Sequence, residues 1–148
     1  METEHHRWLG LSPDPAVWFG FVYLIVNNKT NKKYIGKKQY WFKRGRRKSG
    51  QSRRTMTTID SGWRTYTGSS AELNKDIIEF GELSFSFYIL SHYKNKGDLR
   101  HGELLEQVLR NALIDPMYYN KQYESVSFKP SMAVSEHYHM AKYRGVML

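Results

Sequence analysis

Residues 43–54 read KRGRRKSGQSRR, with seven Lys or Arg among twelve and no acid between them. Like charges at that density resist packing, so the stretch is expected to be an exposed loop. Its chemistry is contact with phosphate, because cationic side chains release counterions from a polyanion. Lys43, Arg46, Arg47, Lys48, Arg53 and Arg54, with Lys38 just before them, are the candidate nucleic-acid contacts. A second constellation surrounds Glu103. At about 100° per residue along a helix, Glu103, Gln107 and Arg110 fall on one polar strip. Leu104, Leu105, Val108, Leu109, Ala112 and Leu113 then form the face expected to be buried. Taken alone, the strip reads as a solvated face with a Glu–Arg pair. Glu106 lies at its boundary. Two histidine pairs, His5–His6 and His137–His139, could ligate a metal, but no third ligand is near either one.

These groups need elements to hold them. Phe19–Val26 is a nearly unbroken run of aromatic and β-branched residues, the pattern of a buried strand. The Asn-rich segment 27–33 reads as a turn, and Lys33–Lys38 as a second strand completing a hairpin. Ser69-Ser70-Ala71-Glu72 has the spacing of a capping box and opens a helix whose apolar face is expected to be Leu73, Ile77 and Ile78, stopped at Gly81. Phe85–Leu90 alternates as a third strand, with Phe85, Phe87 and Ile89 on one side. Asp98 is expected to cap a last helix running to about Leu113, and Pro116 ends that element.

Composition sets the bounds. A chain of 148 residues is one domain with room for one core. The net charge of +9 favours a polyanionic partner. The absence of cysteine excludes disulfide scaffolds and thiolate zinc sites. No apolar run approaches the roughly 18 residues of a membrane span, and no signal segment opens the chain. A cytoplasmic protein with no membrane partner is the expectation.

Val22-Tyr23 in one strand, followed by Tyr34-Ile35-Gly36 in the next, resembles the core signature of the GIY-YIG nucleases. The second triplet is intact. The first reads Phe21-Val22-Tyr23, with Phe and Val where the family has Gly and Ile. Downstream come Trp63-Arg64-x-Tyr66-x-Gly68-Ser69-Ser70-x-x-Leu73, Gly81, Phe85, Ile89-Leu90, then Glu103 and Tyr119-Asn120. That order is similar to phage members related to homing endonucleases. The group's usual Ser-Asp-Trp is Ser61-Gly62-Trp63 here, so any role of that Asp is lost. The resemblance spans about residues 20–123. It implies an α+β fold: a small three-stranded antiparallel sheet flanked by helices. The expected organisation is an N-terminal arm (1–18), the nuclease domain (19–123) and a C-terminal extension (124–148).

The resemblance further implies a metal-dependent DNA endonuclease that uses one divalent ion, a Glu and a tyrosine. A single centred carboxylate suits one Mg²⁺ or Mn²⁺ that keeps several waters. Carried over by position, Glu103 is the metal ligand, with Glu106 as its rival. Tyr23 is the expected general base and Tyr34 an orienting group. A phenol is a weak base unless a cation lowers its pKa, a role suited to Lys37 or Lys38. Gly36 is expected to let backbone approach closely. Arg44 lies at the family's catalytic-Arg spacing after Tyr34, with Arg46 and Arg47 as alternates. Asn120 is expected to orient the site. Trp63 and Tyr66 are expected to pack beneath the basic loop, the alternative being to stack on bases. The partner implied is double-stranded DNA, with the oligomeric state, dimer included, left open. The rival reading is a non-catalytic DNA- or RNA-binding module on the same scaffold, which would need no metal.

Overall fold

A computed structural model describes residues 5–46, 49–50, 52–53, 55–124 and 135–137. The fold is α+β. Strands β2 (Gly20–Asn27), β3 (Lys33–Gln39) and β6 (Phe85–Tyr93) form the expected antiparallel centre. The sheet is larger than expected, with five strands. Trp8–Gly10 forms β1, parallel to β6, and Ser135–His137 forms β7, antiparallel to it. The order β1-β6-β2-β3 leaves β3 at an edge.

The β2 run is apolar throughout because both faces of the sheet are covered. One face carries Phe21, Tyr23, Ile25, Phe87 and Ile89 against Trp8, Trp63 and Leu73. Leu73 comes from α1 (Ala71–Phe80). The other face carries Val22, Leu24, Ile35, Leu90 and Tyr93 against Leu99 and Ala112. Leu99 belongs to α2 (Lys96–Leu109).

Both helix starts differ from expectation by a residue or more. Ser70, not Ser69, caps α1, its hydroxyl accepting from Leu73 N at 3.2 Å. Glu72 closes no capping box and instead pairs with Lys32 at 2.8 Å. Asn95 caps α2, accepting from Asp98 N at 2.9 Å, so Asp98 sits inside the first turn.

The last helix ends at Leu109 rather than about Leu113, and its expected orientation is largely reversed, although Ala112 beyond it is buried as expected. Glu103 and Gln107 are buried, while Leu105, Val108 and Leu109 face out, Leu109 with 68% of its surface exposed. The basic stretch is likewise no simple loop. Trp41–Arg46 forms β4 and pairs with β5 (Thr55–Asp60) as a two-stranded ribbon with a sheet of its own. Thr and Ile in β5 have high strand propensity. Charges on a ribbon this exposed remain solvated, so like-charge density does not prevent pairing.

Candidate active site

The chain after α2 covers only half of the β3 edge. Lys33 N donates to Met117 O at 2.8 Å, and Tyr119 N donates to Lys33 O at 2.7 Å. The Asn120 side chain then stands in for backbone. Its Oδ1 accepts from Ile35 N at 2.9 Å and its Nδ2 donates to Ile35 O at 2.8 Å. From Gly36 onward the cover stops, and a cleft of about 350 Å³ opens there. Tyr23, Tyr34, Lys37, Lys38, Tyr66, Ser69 and Glu103 contribute to its walls.

Alternation along β3 sends neighbouring residues to opposite faces. Tyr34 and Lys38 reach the α1 side, and Lys37 the α2 side. Tyr23 pairs with Gly36 across β2–β3, at a register shift in β2. A Cβ on Gly36 would overlap the Tyr23 phenol. The close approach Gly36 permits is therefore that of Tyr23's own ring. Gly68, with φ +85°, lies over the same pair; a Cβ there would stand 3.0 Å from both the Tyr23 hydroxyl and the Tyr34 ring. The two rings have centroids 6.2 Å apart.

The phenols differ in access. Tyr23 is buried, and Tyr34 is half-buried with its hydroxyl 3.3 Å from Ser69 Oγ. Burial first, then the neighbouring phenols and Glu103, hold Tyr23 well above the ordinary value of 10.0. Burial also raises Tyr34, while Ser69 and Lys37 work downward. Lys38 caps this side, its ammonium 4.0 Å from the Tyr66 ring centroid and 4.8 Å from that of Phe42.

On the α2 side, Glu103 retains only 7% of its exposure. Its Oε2 accepts from Lys37 Nζ at 2.8 Å. Gln107 Nε2 lies 3.4 Å from Glu103 Oε1, and the other end of that amide accepts from Glu124 N at 2.8 Å. Glu124 also pairs with Lys37, and with Arg100 at 3.2 Å. Burial pushes the Glu103 carboxyl up to about 7, against the pull of Lys37. Burial works to lower Lys37, but the two carboxylates outweigh it and keep the ammonium charged.

The cleft thus gathers Tyr23, Tyr34, Lys37, Lys38 and Glu103. Asn120 lies behind it, clamping β3. Lys43, Arg44 and Arg53 are exposed outside its walls, the first two on β4. Arg46 is on β4, and Arg47, Lys48 and Arg54 lie outside the described residues, as do His139 and the basic tail residues Lys142 and Arg144. Glu106 is turned to Arg110 at 3.0 Å. Trp63 is in the core against Trp8, Phe21 and Tyr40 rather than beneath the basic loop, and Tyr66 lines the cleft itself. Sequence reasoning missed Ser69, Lys96 and Glu124. Ser69 was hidden by its expected capping role, and Glu124 has no local pattern to mark it.

The family described as "Putative endonuclease segE, GIY-YIG domain" matches residues 3–123. The chain belongs to that family. No curated protein and no solved structure matches it. The family's GIY-YIG domain is an endonuclease domain. Its family match takes in β1, whose Trp8 packs on Tyr23 at 5.5 Å between ring centroids. No helix among the described residues is long and apolar enough to cross a membrane.

GIY-YIG nucleases typically use a divalent metal. Among the described residues no three His, Asp or Glu side chains converge as a metal cage. Glu103 is nevertheless a buried carboxylate at the wall of an open, partly polar cleft. A hard cation that keeps most of its waters and takes one carboxylate fits such a place.

Proposed function

We propose that this GIY-YIG domain hydrolyses phosphodiester bonds of double-stranded DNA in the cleft at the open half of β3. The observation that carries the reading is the meeting of Tyr34, Lys37 and Glu103 around Gly36 in one open cleft. Glu103 would hold one Mg²⁺ or Mn²⁺. When bound, that ion supplies charge relief to the phosphoryl oxygens and the leaving oxygen.

The chain's own groups do the rest. Tyr34 is the phenol that reaches solvent, so it, rather than the sealed Tyr23, holds the attacking water. Lys37 is the cation nearest to hand for drawing the Tyr34 pKa down when a proton must be accepted. Tyr23 and Gly68 form the floor that fixes the Tyr34 ring. Gln107, pinned at both ends of its amide, fixes the Glu103 carboxylate. Asn120 keeps β3 in place without touching substrate. Arg44 acts on flanking DNA from the ribbon rather than on the scissile phosphate.

The test is a plasmid-cutting assay. Purified protein with Mg²⁺ or Mn²⁺ should nick or cut duplex DNA, and EDTA should stop it. Glu103→Ala should lose cutting and keep DNA binding. Tight binding with no cutting under any divalent ion would replace this reading with that of a binding module.

A further inference from the structure

The β4–β5 ribbon is rooted firmly at one end. Trp41 Nε1 donates to Pro15 O at 2.9 Å. Ser61 Oγ donates to Gln39 O at 2.5 Å and Ser61 N to Tyr40 O at 3.1 Å. Asp60 accepts from Gly62 N at 2.7 Å and pairs with Arg64 at 2.8 Å. Beyond this root the ribbon packs extensively against no helix or other strand among the described residues. Six residues per strand at about 3.3 Å each give an arm of roughly 20 Å.

Its two faces are unlike. Phe42 lines the cleft. Period-two alternation places Arg44 on the same face as Phe42, and the register sets Thr57 opposite Arg44. Thr57 Oγ1 donates to Arg44 O at 3.2 Å, which leaves its methyl group and its lone pairs free for a partner. The opposite face carries Trp41, Lys43 and Thr58, and turns toward the N-terminal segment at its root.

We propose that the ribbon lies in the major groove of the duplex whose scissile strand occupies the cleft, with the Phe42–Arg44–Thr57 face toward the bases and Thr57 as a sequence-reading contact. The inference rests on the nuclease reading above, because it takes the DNA path from the cleft. Duplex DNA is the occupant by charge, since residues 43–54 are strongly basic and free of acids. It is also the occupant by shape. A two-stranded ribbon enters the roughly 12 Å major groove of B-form DNA but not its roughly 6 Å minor groove. The major groove of duplex RNA is too narrow for it. A threonine meets the thymine methyl group or accepts from a base amine, while an arginine two residues from the cleft can contact a phosphate or a guanine edge.

The test measures binding in a Glu103→Gln background, so that it does not depend on cutting. Arg44→Ala should weaken duplex binding roughly tenfold and flatten the dependence of log affinity on log salt by about one contact. Lys43→Ala, on the far face, should cost clearly less. Thr57→Val should leave affinity for mixed-sequence DNA within about twofold while changing the sequences recovered by selection. The major-groove ligand methyl green should displace the protein, and the minor-groove ligand netropsin should not. Both arginine and lysine sites are exposed strand positions, and an unchanged thermal midpoint confirms that each variant is folded; Arg44→Gln replaces Arg44→Ala if it does not. Equal losses at Arg44 and Lys43, displacement by netropsin, or equal affinity for duplex RNA would each overturn the groove assignment. Loss of cutting in the Glu103→Gln parent bears on the nuclease reading alone. Failure of that parent's background to abolish cutting would sink the catalytic roles and leave the ribbon result standing.

Discussion

Two polar clusters sit on this sheet, built from similar parts. One is the cleft, with Tyr34, Lys37 and Glu103 joined by Glu124. The other is Tyr40, His92 and Glu136. Each combines a phenol with a nitrogen-bearing side chain and takes a carboxylate from beyond residue 123. Phe21 lies between them, its ring centroid 6.1 Å from that of Tyr23 and 6.4 Å from that of His92. The difference is in access. His92 Nε2 lies 2.6 Å from the Tyr40 hydroxyl and Nδ1 2.8 Å from Glu136. Asp14 N donates to the same hydroxyl at 3.3 Å, and Trp18 stacks over the imidazole at 5.4 Å between centroids. Every polar atom of the ring has a protein partner, and neither Tyr40 nor His92 reaches solvent. The cleft cluster instead borders open volume. Residue types alone mark both as candidate sites; access to open volume separates them.

The largest effect expected tests that separation directly. Glu103→Gln should lower the cutting rate about a thousandfold or more, while His92→Ala should cut at close to the normal rate per folded molecule. A folded His92→Ala protein that does not cut would break the comparison. Stability should respond the other way round. His92→Ala strands the Tyr40 hydroxyl and opens a cavity under Trp18, a loss of about 2–4 kcal/mol in urea unfolding. Glu103→Gln removes a buried charge whose partner Lys37 keeps Glu124, so the change should stay within about 1 kcal/mol. A Glu103→Gln loss as large as that of His92→Ala would make the cleft a structural network too.

Gly36→Ala sharpens the same contrast, because it removes room and leaves every bonding group in place. The added methyl collides with the Tyr23 phenol, which is packed among Trp8, Tyr34 and Tyr66 and has nowhere to turn. About 1–3 kcal/mol of stability should be lost. Cutting should fall as well, since Tyr23 supports the Tyr34 ring. Normal cutting by a folded Gly36→Ala protein would remove the floor role given to Tyr23.

Much of the frame was readable from β-branched and aromatic runs. The three central strands fall where periodicity put them, because they are buried and their pattern records it; both helices lie at about the expected positions, but Ile78, expected on the inward face of α1, is exposed. The inward face of α2 was not readable. A helical wheel assumes that polar residues face water, and α2 does the reverse at Glu103 and Gln107, because the polar strip is needed inside the cleft and the leucines are left outside. The β4–β5 ribbon was hidden for a related reason. An exposed ribbon has no buried face to write period two into its sequence, and its charges point to a loop. β1 and β7 are only three residues each, too short to carry a pattern. Of the site, the Tyr23–Tyr34–Glu103 set was visible through its resemblance to a family. The difference in access between the two phenols depends on Gly36, Gly68 and Ser69, whose meaning appears only when the rings pack over them.

The smallest effect concerns pH and belongs to the sealed cluster. Burial lowers the His92 pKa from its ordinary 6.5, and Glu136 only partly offsets this. A neutral ring suits the observed bonds, with Nδ1–H donating to Glu136 and Nε2 accepting from Tyr40. Since the unfolded chain takes up the proton more readily, folding is favoured above 6.5 and loses that contribution as pH falls below it. The slope for one proton cannot exceed about 1.4 kcal/mol per pH unit. His92→Gln, which keeps a polar group but no titration, should flatten this part of the stability curve below 6.5, as read by urea unfolding at a series of pH values. The cutting activity of the folded protein should not follow the same imidazole titration. If it does, proton exchange at His92 reaches the cleft across Phe21, and the two clusters act as one.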